Sequence, residues 1–292
     1  MPQHFVAPPQ WEWYIVWYFF FGGIAGGAYA LGTILRLFGA RRDGEAARLA
    51  FLISLPAMAV CPILLTLDLG RPDRFWHMLV NSRTLELNFK YWSPMSVGAW
   101  VLLIFGIFSA VSFVEALSWP RGLAQGLTGL LNGGFGRVFM VVGAVFGLFL
   151  AGYTGVLLSV TNQPIWSDTW ALGGLFLASG LSVAAAAIGL VARFRPDAWR
   201  SEEKFARAYW YFILLELALL AVFFLTLGTL AARLFEGRLI VLWAMVLIGI
   251  LVPLVIHFRT AAGHRAATVL ASGLVLVGGL ALRIAVIFGA QM

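Results

Sequence analysis

Cysteine is nearly absent. Cys61 stands alone among 292 residues, which excludes a disulfide framework and any iron-sulfur cluster or thiolate zinc site held by this chain, since each needs several cysteines. Charge is scarce as well: 20 basic and 13 acidic residues make up 11% of the chain, whereas a water-soluble domain uses about a quarter of its residues to present charge. Histidine is limited to His4, His77, His257 and His264. A membrane b-type haem is held by paired histidines within spans, and only His257 falls inside one, so a cytochrome b subunit is disfavoured.

Apolar residues are abundant. They make up 61% of the chain, with a mean hydropathy of +0.91, and they run continuously rather than with period two. An open sheet would leave unpaired backbone groups in lipid, so the expected fold is all-α, a polytopic membrane protein. A helix needs about 20 residues to cross the hydrocarbon, and candidate spans fall at 13–37, 47–67, 92–116, 137–158, 169–193, 209–231, 239–257 and 266–289. Eight crossings leave little chain for any extramembrane domain, and residues 1–292 read as one integral membrane domain. Glycines at the starts of two halves, Gly22, Gly23, Gly26 and Gly27 against Gly173, Gly174 and Gly180, permit close helix approach. They point to two four-helix bundles, with halves at 1–160 and 161–292.

The net charge of +7 and pI near 10.1 mark inner loops here rather than a nucleic-acid partner. With the amino terminus outside, thirteen bases collect on the inner side, including Arg36, Arg41, Arg42 and Arg48. Only Arg71, Arg74, Arg83, Lys90, Arg233 and Arg238 lie outside. Both termini are therefore expected outside. No Lys or Arg precedes Arg36, so no cleaved signal peptide is expected. The stretch Ser201-Glu202-Glu203-Lys204 reads as a capped entry into the sixth span.

The longest connection, 68–91 on the outer side, mixes bases and acids with Phe75, Trp76, Met78 and Leu79. A solvated loop has no use for so much apolar surface, which places the segment at the interface or beneath a partner. Ionisable groups in or at the edges of spans are Asp68, Glu115, Glu216, His257 and Arg283, each a functional candidate in a membrane. Their structural alternatives are turn capping for Asp68 and headgroup contact for Glu115; Glu216 lies too deep for that. Tyr18 and Tyr153 each lie about five residues inside the outer ends of spans one and four, roughly 8 Å below the interface at 1.5 Å per residue. Tyr14 shares a helix face with Tyr18, Thr154 adjoins Tyr153, and Trp166 is near. These residues can line a pocket for a lipid-soluble quinone, whose carbonyls accept hydrogen bonds and whose ring and tail need an apolar slot. The competing reading is an aromatic belt at headgroup depth.

Three segments carry a resemblance. Asp68-Leu69-Gly70-Arg71-Pro72-Asp73-Arg74-Phe75-Trp76-His77 with Ser93-Pro94-Met95, Gly152-Tyr153-Thr154-Gly155 with Asn162-Gln163-Pro164-Ile165-Trp166, and Gly22-Gly23-Ile24-Ala25-Gly26-Gly27 resemble the polysulfide reductase membrane-subunit, or NrfD-like, family. The resemblance implies a quinone-binding subunit of the cell inner membrane that carries neither haem nor iron-sulfur cluster, with menaquinone or ubiquinone as the quinone. It implies docking on a four-cluster iron-sulfur subunit and, beyond it, a molybdopterin catalytic subunit. The quinone is then expected near the outer face among the first four helices. Tyr153 matches the family's fourth-span tyrosine, and Tyr18 stands where some members have histidine. The docking surface is expected around Arg71, Asp73, Arg74 and Trp76. Asp68 and His77 are outward proton candidates, and Glu216, His257 and Arg283 inward ones. Two other classes remain: a proton or solute transporter built on Glu216 and Arg283, and a passive tether.

Overall fold

The computed structural model describes residues 10–40, 43–118, 129, 131, 133–195, 202–259 and 265–291, with side chains described for all of these except 202–208, 257–259 and 265–267. Eight long helices run through it: α1 (Trp13–Phe38), α2 (Gly44–Asp68), α3 (Pro94–Ser118), α4 (Gly134–Ser159), α5 (Leu172–Ala192), α6 (Glu202–Leu227), α7 (Leu239–Arg259) and α8 (Arg265–Gly289). All eight are long and apolar enough to cross a membrane. Among the described residues there is no strand, only one isolated bridge between Val80 and Leu87. Observed helix ends differ from the expected spans by a few residues. The sixth helix departs most: it starts seven residues earlier and passes into a 3-10 helix over Gly228–Phe235. Of the expected capped entry to it, Ser201 lies outside the described residues.

The glycines of α1 make it the central element. In its membrane window 83% of residues are buried, against 28% for Tyr209–Phe235. A Cβ on Gly23 would sit 3.1 Å from Gly180 Cα of α5, and one on Gly26 would overlap the Gly147 carbonyl of α4. In lipid, where the hydrophobic effect gives no drive for helices to associate, such backbone contact supplies van der Waals packing. Helix α1 accordingly packs on α2, α4 and α5, and α2–α3, α3–α4, α5–α6, α5–α8 and α7–α8 are also in contact. The turn from α1 to α2 is held by Asp43, whose carboxylate accepts the Ala40 N–H at 2.6 Å.

The two ends of the chain meet. Trp11 N–H donates to Gln291 Oε1 at 2.9 Å, and Gln291 Nε2 donates to Trp11 O at 3.3 Å. Both ends therefore lie on one face of the helix array, as an even number of crossings requires. On the opposite face Glu115 does not reach outward. It is buried and pairs with Arg36 of α1 at 2.7 Å.

Candidate functional site

Helix α1 presents Tyr18 toward α2 and α4. One turn below it, the Cβ that Gly22 lacks would lie 3.9 Å from both Cys61 Sγ of α2 and Thr154 Cγ2 of α4. Residues four apart share a helix face, so Tyr18 stands over the same junction. Its side chain is 3% exposed, and Cys61 and Tyr153 are its electrostatic neighbours. Among the described residues the Tyr18 hydroxyl makes no hydrogen bond.

Tyr153 is held differently. Its ring stacks on Phe149 with centroids 5.8 Å apart, and its hydroxyl donates to Pro94 O, the first carbonyl of α3, at 2.5 Å. The ring occupies space left by Gly98, where a Cβ would lie 2.5 Å from Tyr153 Cζ. The ends of α1 to α4 on the face where Trp11 and Gln291 meet thus bring together one phenol without a hydrogen-bond partner, one phenol bound to a backbone carbonyl, and a wall of small side chains.

The remaining sequence candidates divide. Tyr14 lies one turn outward of Tyr18 and is 37% exposed. Thr154 is buried, but its hydroxyl donates to Ala151 O of its own helix at 2.8 Å, so only its methyl faces Gly22. Trp166 does not join the two tyrosines as a donor. It is fully buried, its indole N–H is bonded to Val286 O of α8 at 2.8 Å, and its ring packs on Trp11. Burial of so large a ring with its one donor satisfied is a packing role. Asp68 is exposed at the end of α2. The His77 ring lies 4.1 Å from the Trp76 ring. No hydrogen bond joins either side chain to Tyr18 or Tyr153 among the described residues. Arg71, Asp73, Arg74 and Trp76 are all exposed on a 3-10 turn, Pro72–Met78. Around them Phe75, Leu85, Leu87, Phe89, Tyr91 and Trp92 expose apolar surface.

A second polar cluster is separate and deeper. Arg283 of α8 is fully buried and donates to Phe19 O at 3.1 Å, Ser179 Oγ at 3.1 Å and Gly279 O at 2.7 Å. Its guanidinium also lies over the Phe176 and Phe20 rings. Glu216 of α6 accepts from Ser182 Oγ at 2.6 Å, and the Ser179 hydroxyl reaches it as well. Ser179 therefore stands between the two charges. His257 lies on α7, but its side chain is outside the described residues. Sequence reading gave Cys61, Pro94 and Gly98 no role in the site and did not single out Ser179 and Ser182. Glycine and serine are common in membrane helices, and only the pairing of helices marks these.

Taken together these features define a polytopic helical membrane protein with a polar, mostly buried site near one face. The chain belongs to the NrfD family, since the family model described as "Polysulphide reductase, NrfD" matches residues 2–292. It is 28% identical over 211 residues to protein NrfD of Escherichia coli, covering 67% of this chain and 64% of that protein. It is 26% identical over 106 residues to a selenate reductase subunit of Mesobacillus selenatarsenatis, covering 36% of this chain and 22% of that one. The matched part thus spans less than two thirds of each of these relatives.

Proposed function

We propose that this chain is the haem-free, quinone-reactive membrane subunit of a respiratory oxidoreductase complex. Quinol, losing two electrons and two protons, becomes quinone at the Tyr18–Tyr153 site, or the reverse. The electrons pass to or from a four-cluster iron-sulfur subunit seated on the outer loop, with a molybdopterin catalytic subunit beyond. The observation that carries this reading is Tyr18, a side chain 3% exposed whose hydroxyl has no hydrogen-bond partner among the described residues, with Cys61 and the Tyr153 phenol as its neighbours. A phenol O–H that no protein atom accepts is free to donate to a ligand oxygen.

The residues fit a quinone headgroup. Tyr18 offers a donor, Tyr153 offers oxygen lone pairs and, on releasing Pro94 O, a second donor, and Gly22 keeps the wall beneath Tyr18 free of a side chain. Bound there, the quinone supplies the two-electron chemistry. The protein supplies orientation and polarity. The apolar and basic outer turn, with Arg71 and Arg74 exposed beside Phe75 and Trp76, suits an acidic partner surface. Within α1–α4 and within α5–α8 neighbouring helices touch, which suits two four-helix groups, and the two groups meet through α1 and α4 against α5. The location is the inner membrane with both termini outside. Asp68 and His77 serve protons outward; Arg283, Ser179, Glu216 and His257 serve an inward path.

The test is quinol turnover by the purified complex. Tyr18→Phe and Tyr153→Phe each raise quinol KM about three- to tenfold, the worth of one buried hydrogen bond, while partner subunits stay bound. Unchanged turnover in both variants refutes the assignment.

A further inference from the structure

The outer loop and the Tyr153 side of the site are joined by hydrogen bonds centred on Asn88. Its Nδ2 donates to His77 O, within the Pro72–Met78 turn, at 3.0 Å, and its backbone N–H donates to Leu79 O at 2.8 Å. Its carbonyl accepts from Trp100 Nε1 at 3.2 Å and Ser96 Oγ at 3.3 Å, both in the first two turns of α3. Ser96 Oγ also accepts from the Lys90 N–H at 3.0 Å. The first N–H groups of a helix have no partner within it, and Pro94 has no N–H at all. These external bonds therefore set where α3 begins, and with it where the Pro94 carbonyl lies.

That carbonyl decides what Tyr153 can do. A phenol has one O–H and two lone pairs. While it donates to Pro94 O, Tyr153 has only lone pairs to offer, so it accepts from the O–H of a quinol and has no proton for the carbonyl of a quinone. We propose that Asn88, through Pro94, is a positioning residue that fixes Tyr153 as a hydrogen-bond acceptor and so makes the site select the reduced quinol over the quinone. This rests on the quinone reading above and deepens it by assigning a preferred redox form.

The experiment uses the purified complex, a short-chain quinol as substrate and a soluble dye oxidant to take up its two electrons. It records quinol KM, kcat and the inhibition constant of the product quinone. Asn88→Asp keeps the shape but cannot donate to His77 O, and Trp100→Phe removes the bond to Asn88 O. Each is expected to raise quinol KM about fivefold, the net worth of one hydrogen bond. The quinone inhibition constant is expected to fall several-fold, because a Tyr153 released from Pro94 O can donate to the quinone carbonyl, while kcat stays within about twofold, so discrimination falls. A parallel rise of KM and inhibition constant marks general loosening and overturns the proposal, as does no change in either. Should Asn88→Asp release the partner subunits, Trp100→Phe decides alone. A KM raised by Tyr153→Phe but by neither of these variants refutes the clamp and leaves the quinone site standing. A KM insensitive to Tyr153→Phe refutes the site itself.

Discussion

Gly98 is the position where one methyl group tests the site. An alanine Cβ there would lie 2.5 Å from Tyr153 Cζ and 2.7 Å from Cε1, whereas carbon atoms rest at about 3.5 to 4.0 Å. The ring must retreat by about 1 Å, which carries the hydroxyl from 2.5 Å to about 3.5 Å from Pro94 O, beyond useful hydrogen-bond distance. Overpacking of this kind costs about 1 to 3 kcal/mol, and the lost hydrogen bond about 1 kcal/mol more. Gly98→Ala is therefore expected to destabilise the protein by about 2 to 4 kcal/mol, read by denaturant titration in mixed micelles. Combining it with Tyr153→Ala removes the clash, so the double variant should cost at least about 1 kcal/mol less than the sum of the singles. Additive costs, or a Gly98→Ala protein with unchanged stability and quinol kinetics, would show that Tyr153 does not occupy this space.

Other outcomes follow from the buried charges and the outer turn. Arg283→Leu removes the donor to Phe19 O, Ser179 Oγ and Gly279 O and takes a nearby cation from Glu216, at a cost of about 1 to 3 kcal/mol. Adding Glu216→Gln should recover the share of that loss that is electrostatic, measured by the same titration. Arg36→Met alone should destabilise by about 3 to 5 kcal/mol, because Glu115 at 3% exposure loses the guanidinium 2.7 Å away. Arg36→Met with Glu115→Leu should be near neutral. Charge reversal at Arg71 and Arg74 together should release peripheral subunits during purification, most completely at low salt where the new like-charge repulsion is least screened, without lowering the stability of the membrane subunit itself. Retention of those subunits at wild-type levels would place the docking surface elsewhere.

The membrane class and the number of helices were legible in the sequence, and their limits to within a few residues except at the sixth, because they follow from one-dimensional quantities. Long apolar runs must be helical in lipid, and their lengths are set by hydrocarbon thickness. The tyrosines were legible as candidates by depth alone, since rise per residue converts position into distance from the interface. Depth does not give direction around the helix axis. Trp166 lies at a suitable depth, yet it faces α8 and gives its N–H to Val286 O. Thr154 faces α1 with its methyl and turns its hydroxyl to its own helix. Glu115, near the inner end of its span, turned inward to meet Arg36.

Side-chain direction, and with it every partner, was decided by which helices touch. That rests on backbone contact at glycines such as Gly23, Gly26 and Gly98, whose packing depends on a facing helix distant in the chain. Composition and periodicity fix what must be buried in lipid. Only the tertiary arrangement determines which buried donor finds an acceptor, and so which phenol is left to meet a ligand.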